Sequence, residues 1–338
     1  MSRYVVGVDL GGTNVRAGVF DESGQMVTAE PVENPSRAQE GTQAIIEAIA
    51  STIDQAVAAS GRTPDAVGMA VPGHIDNDRG IVKWSPNFGQ EVNGVFTCWR
   101  DQPVREPLAR LIRYPILMGN DANLAALGEY RFGSGKNSAA CLVMLTLGTG
   151  IGGGVVMASK SVFGKAEGTL MLVGGNGGGA ELGHVVIQMN GPDCNAGSYG
   201  AVEGFCQRDA IIDRTIHRIQ RGRKSIIPSL VEGDLSKITP LTLSLAAEAG
   251  DELARQTWAE IGTFLGVAIG GYINIFAPDV VAVGGQIAKA GEWILGPARV
   301  AAADTGIPSL FVDAKIVQAE QIEDAGMLGG AAMALEAP

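Results

Sequence analysis

The 338-residue chain is short of positive charge: 25 Lys and Arg stand against 36 Asp and Glu, for a formal charge of −11 and a pI near 4.8. A nucleic-acid surface needs a basic stripe, so no nucleic-acid partner is expected, and a small-molecule substrate is. Cysteines are few. Cys98, Cys141, Cys194 and Cys206 are too scattered for a disulfide framework and read as reduced thiols of a cytoplasmic protein. The opening "MSRYVVGVDLGG" has no signal-peptide core, because its apolar run reaches Asp9 at once. Long uncharged runs are also scarce, with one exception, the 18 residues "IGTFLGVAIGGYINIFAP" at 261–278. Its Gly262, Gly266 and Gly270 have a helix-packing spacing that also occurs in lipid. The run holds Asn274, however, ends in Pro278 and passes into the strand-like "VVAVGG", so it predicts a buried helix and no membrane span.

Glycine is what the chain has in excess, 48 residues gathered notably at 148–154 and 174–179, against a usual share of about 7%. The segment "VDLGGTNVRAGVF" at 8–20 shows what such turns serve. An apolar run ends on Asp9; Gly11, Gly12, Thr13 and Asn14 follow, and then a second apolar run. This predicts a β-hairpin with a polar tip. "YVVGVDLG", "NVRAGVF" and "QMVTAEP" predict an opening antiparallel meander, 39–60 and 122–132 predict helices, and "AVGMAVPG" and "YPILMGND" predict strands. The alternation indicates an α/β protein, and its length suggests two domains.

The hairpin then recurs. "CLVMLTLGTGIGGGVVM" repeats it at an offset of 136 residues, pairing Gly12-Thr13 with Gly148-Thr149, Val15 with Ile151, and Gly18 with Gly154. Such a repeat predicts two similar halves facing one another. Bare backbone amides in a Gly turn can approach an anion closely, and a carboxylate beside them suits a hydrated Mg²⁺. The tips therefore read as a nucleotide-phosphate cradle. Gly148, Gly150 and Gly153 also fit the dinucleotide fingerprint, but that motif must open a helix, and here "GVVM" continues as strand.

In this order, "VDLGGTNVRAGVF", "GNDANLAALGE", "LTLGTGIGGGVV", "AELGH" and "VVAVGGQIAKAG" resemble the ROK-family sugar kinases, bacterial glucokinases in particular. The resemblance spans nearly the whole chain. It implies the two-domain α/β fold of actin and hexokinase (ribonuclease H-like), with duplicated mixed sheets and ATP in an interdomain cleft. The implied small domain is 1–118, with a C-terminal helix 325–338 packing back on it, and the large domain is 119–324. Asp9, Gly11, Gly12, Thr13 and Asn14 match the first phosphate loop, Asp9 lying near the Mg²⁺ that accompanies ATP. Gly148, Thr149 and Gly150 match the second loop, and Gly284 and Gly285 the adenosine motif. Asn120 matches a sugar ligand and Asp121 the catalytic base, itself also in contact with sugar. Glu181, His184 and Glu203 match further sugar ligands, and Gly73 and Asn87 stand where the small domain reaches the sugar.

The chemistry is consistent with this. A ring of hydroxyls needs carboxylates and amides in fixed pairs, and phosphoryl transfer needs positioning, charge neutralisation and one base. Two departures stand out. The family's zinc site has one His and three Cys, but here "CNAGSYGA" keeps Cys194 and places Ala196 and Ala201 where thiols belong. With His184 that leaves two ligands of the usual four, so no structural zinc is expected. The segment 155–180 is also longer than usual and suggests an extra hairpin near the sugar.

The resemblance thus implies ATP-dependent phosphorylation of a hexose 6-hydroxyl, glucose first, by a cytoplasmic homodimer. A kinase for another hexose or an N-acetylhexosamine is the alternative. A sugar-sensing repressor is disfavoured, because the phosphate strand begins at Tyr4 with no helix-turn-helix ahead of it.

Overall fold

Valine-rich runs build two five-stranded sheets on one plan. The computed structural model describes residues 3–136, 139–161, 164–175, 177–194 and 197–336, without the side chains of 159–169. Its strands are β1 (Tyr4–Leu10), β2 (Asn14–Asp21), β3 (Val32–Pro35), β4 (Ala66–Val71), β5 (His74–Asp76), β6 (Ile81–Val92), β7 (Val95–Pro103) and β8 (Ile116–Asn120). They continue with β9 (Cys141–Leu147), β10 (Ile151–Ser161), β11 (Gly164–Val173), β12 (Val280–Gly284) and β13 (Lys315–Gln318). One sheet has the order β3-β2-β1-β4-β8 and the other β11-β10-β9-β12-β13, so they correspond strand for strand. In the first, β1 pairs antiparallel with β2 and parallel with β4. In the second, β12 pairs parallel with both β9 and β13. β4 and β12 are buried at every position, as parallel strands covered on both faces must be. The duplication expected from the repeat is present.

Two compact units result, one of residues 1–138, 154–180 and 323–338, the other of 139–153 and 181–322. The expected boundary at 118/119 does not coincide with this division. Helix Asp121–Phe132 goes with the first unit because it is pressed on the C-terminal helix Ala325–Leu335. A methyl group on Gly329 would lie 2.0 Å from the Leu124 carbonyl oxygen. The C-terminal helix in turn lies on β1 and β4 through glycine, since a methyl on Gly7 would stand 2.0 Å from the Met327 oxygen and one on Gly68 1.9 Å from the Gly330 oxygen.

The third strand of the meander lies later than expected. Residues 25–31 make only a bridge from Met26 to Phe20, and β3 starts at Val32, where it pairs with the tip-proximal half of β2. Pro31 has no N–H to give a ladder at the expected place. β6 and β7, a long hairpin joined by β5 into a three-stranded sheet, was not foreseen. The long segment 155–180 does form a hairpin, β10 with β11, whose tip residues 162 and 163 are outside the described residues.

In the second unit, helix Glu252–Phe276 is capped by Asp251, whose carboxylate accepts the Ala254 N–H at 2.8 Å. By length and composition it could cross a membrane, but half of its most apolar stretch is buried within the protein. Its glycine face fits helix Glu292–Thr305: methyl groups on Gly262 and Gly266 would lie 2.4 and 2.3 Å from the oxygens of Ile294 and Ala298.

Candidate active site

In the first unit the candidate residues begin at the β1–β2 tip. Gly11 N–H closes the turn on the Asn14 oxygen at 2.8 Å. Gly12 and Thr13 are exposed, and a methyl on Gly12 would meet nothing within 4 Å. Asn14 is turned to one side, its amide donating to Glu33. Asp9 stands opposite Arg16 in the hairpin register, and the Arg16 guanidinium pairs with Asp324 at 2.8 Å and Glu33 at 3.6 Å. The Asp9 carboxyl is pushed up to about 6, chiefly by burial, then by the Asp121 carboxylate; Arg16 opposes this and Asp324 adds to it. It abuts the start of the C-terminal helix, where a methyl on Gly326 would lie 2.6 Å from its carboxyl carbon. A divalent cation would relieve this crowding of negative charge, so the residues present fit a magnesium ion carried with a phosphate substrate.

β8 delivers Asn120 and Asp121. Asn120 is the joint of this unit: its Oδ1 accepts the Asn123 N–H at 3.0 Å and caps helix Asp121–Phe132, while its Nδ2 donates to the Gly73 oxygen at 3.0 Å. Gly73 has φ +112°, and a methyl there would lie 2.2 Å from the Trp84 oxygen, so only glycine fits. Because Asn120 takes the cap, Asp121 is the first helical residue, with its Oδ1 held by the Ala122 N–H at 2.9 Å. Asn87 is exposed, in the irregular stretch of β6 between Ser85 and Gly89. Sequence reasoning missed Asn123, Arg16, Asp324 and Gly326. Buried Asn123 donates to the Gly179 oxygen at 3.2 Å and so ties the helix of Asp121 to the glycine-rich 174–179 loop. Its place inside "NDANLAALGE" was the available signal.

The second unit repeats the tip between β9 and β10. Gly148 N–H reaches the Gly150 oxygen at 2.9 Å, Thr149 is exposed, and a methyl on Gly148 would come no nearer than 3.9 Å to that oxygen. Gly150 is glycine for a different reason. Buried Glu203, on the short helix Val202–Cys206, accepts the Ile151 N–H at 2.8 Å, and a methyl on Gly150 would lie 2.8 Å from the same carboxylate oxygen. Exposed Glu181 precedes the turn Leu182–His184, which buried Tyr272 pins by donating its hydroxyl to the Leu182 oxygen at 2.5 Å. Gly284 ends β12. Gly285, at φ +80°, presses the next turn on the end of β9, where a methyl would lie 2.3 Å from the Leu147 oxygen.

Three potential metal donors gather here, His184, Cys194 and Glu203, within 4.8 Å of one another. They fit a structural zinc poorly. Such an ion takes four ligands, Glu203 is already engaged by a backbone N–H, and Ala201 is a fully buried methyl. Ala196 is outside the described residues.

A duplicated α/β sheet, each copy led by a hairpin with a glycine tip, is the fold of actin and hexokinase. The ROK family profile matches residues 5–337, and the chain belongs to the ROK family. A glucokinase of Thermotoga maritima is 36% identical over 332 residues, 98% of this chain and 97% of that one. A ROK-family glucokinase from Streptomyces griseus, in complex with glucose and AMPPNP, superposes with a TM-score of 0.77 at 28% identity, covering 99% of this chain and all of that one. A ROK hexokinase from Thermus thermophilus gives a TM-score of 0.74 at 28% identity over 98% of each chain.

Proposed function

We propose that this protein is a glucokinase, transferring the terminal phosphoryl group of ATP to the 6-hydroxyl of glucose. The observation that carries this reading is Asp121. It is a carboxylate at a strand end, fixed by the helix it opens and beside Asp9, in a chain belonging to a family of sugar kinases and repressors. In the proposed reaction Asp121 accepts the hydroxyl proton as the oxygen attacks phosphorus, the role a positioned base plays in phosphoryl transfer. Gly11, Gly12, Thr13, Asn14, Gly148, Thr149 and Gly150 form the phosphate loops, and Gly284 and Gly285 take the adenosine. Magnesium bound with ATP near Asp9 would supply charge neutralisation. The sugar ligands are Gly73, Asn87, Asn120 and Asp121 from the first unit and Glu181, His184 and Glu203 from the second.

The enzyme is further proposed to be a cytoplasmic homodimer without structural zinc, a state that sedimentation velocity and metal analysis address. A coupled assay across glucose, fructose, mannose, N-acetylglucosamine and N-acetylmannosamine, each with ATP and with polyphosphate, tests the reading. Turnover highest on glucose with ATP is expected; turnover on none of these sugars refutes it.

A further inference from the structure

The loop after His184 folds back on itself. Ile187 and Val202 N–H groups bond Gly200 and Val185 oxygens at 2.9 and 3.0 Å, and Asp193 bridges to Tyr199. This brings Cys194, 4% exposed, to the Nδ1 edge of His184. Its Sγ lies 3.7 Å from His184 Nδ1 and 3.1 Å from Ser198 Oγ, and the Cys194 N–H also bonds the Ser198 oxygen at 2.9 Å. Tyr272 pins the turn that carries His184 through the Leu182 oxygen. The Cys194 sulfur thus stands against the ring in a donor set that fits a four-ligand metal poorly.

We propose that a metal-free hydrogen-bond relay, Ser198 O–H to Cys194 Sγ and Cys194 S–H to His184 Nδ1, fixes the His184 ring for substrate. A neutral imidazole carries one proton, and a donor at Nδ1 leaves that proton on Nε2. In the relay the Cys194 thiol gives its one proton to Nδ1, 3.7 Å away, and the Ser198 hydroxyl, at 3.1 Å, satisfies the sulfur in turn. His184 then presents Nε2–H as a donor to a sugar hydroxyl oxygen. Cys194 and Ser198 are positioning residues, and neither needs to touch the sugar. The inference rests on the reading of His184 as a sugar ligand, but the relay itself has a readout independent of activity.

That readout is the ¹⁵N spectrum of the histidine rings at neutral pH, with His184 assigned by its loss in His184→Gln. The relay predicts the Nε2–H tautomer in the wild type, and a shift of the Nδ1 resonance in both Cys194→Ala and Ser198→Ala. Protein purified without chelator should carry well under one zinc per chain. In Ser198→Ala, the milder change, the glucose KM should rise about tenfold, as loss of one buried hydrogen bond implies, with kcat within a few-fold and the fold intact by circular dichroism. An Nδ1–H tautomer, a His184 signal indifferent to both substitutions, or stoichiometric zinc would overturn the relay even if glucose is turned over. Absence of kinase activity alongside the predicted spectrum would instead overturn the sugar-ligand reading and leave the relay standing.

Discussion

Glycine carries the argument at the scale of single residues, and different glycines are glycine for different reasons. A methyl on Gly12 would meet nothing within 4 Å and one on Gly148 only an ordinary contact at 3.9 Å, so nothing in the protein itself forbids a side chain there. A requirement for bare backbone at these points must come from a ligand. Gly148→Ala should therefore leave the melting temperature within about 1–2 °C, an ordinary surface effect, while raising the KM for ATP about tenfold or more. Gly150→Ala should act otherwise, weakening glucose binding by displacing Glu203, whose oxygen would lie 2.8 Å from the new methyl. Steady-state kinetics on the two variants separates them, and an unchanged ATP KM in Gly148→Ala would count against the phosphate loop. The motif positions were legible in the sequence, but these reasons were not. Glu203 meets Ile151 across 52 residues, and Gly285 meets Leu147 across a still longer gap; no local spacing records such partners. Likewise Asn120 reads as a ligand in the motif, and only the fold shows it capping a helix and holding the Gly73 carbonyl.

Elements whose signal is local were the legible ones. The β1–β2 hairpin, its repeat at β9–β10, and the helix ending at Gly61 (φ +62°) follow from short-range pattern and turn chemistry. β3 and the β6–β7 hairpin were missed or misplaced because their pairing is decided by neighbouring strands and not by their own composition. The apolar run at 261–278 is the instructive case. Its glycines are spaced for close helix contact in water or in lipid, and the fold supplies the soluble partner, helix Glu292–Thr305. Gly266→Ala should consequently destabilise by about 1–3 kcal/mol, since the methyl has no room beside the Ala298 oxygen. Gly271→Ala, on the same helix but with nothing within 4 Å, should be neutral or stabilise by up to about 1 kcal/mol. Urea unfolding of the pair checks the packing: equal effects would mean that the glycine face does not make this contact.

At the scale of the whole molecule, one chain carries two copies of a hairpin-led sheet, and in each the tip is open while the strands behind it are buried. The duplication supplies two glycine tips, but the proposed base occurs once: the strand end that holds Asn120 and Asp121 corresponds to the end of β13, where Gln318 is followed by Ala319. The proposed chemistry turns on Asp121 as the acceptor of the sugar's proton. Asp121→Asn keeps the size of the side chain and its bond from Ala122, and removes the basicity. Turnover and glucose affinity, measured on one preparation of this variant, decide whether Asp121 is the base. With Asp121 as base, kcat falls by about 10²–10⁴-fold, the usual cost of losing a general base, and the glucose Kd stays within a few-fold of wild type. A kcat within a few-fold of wild type would contradict it.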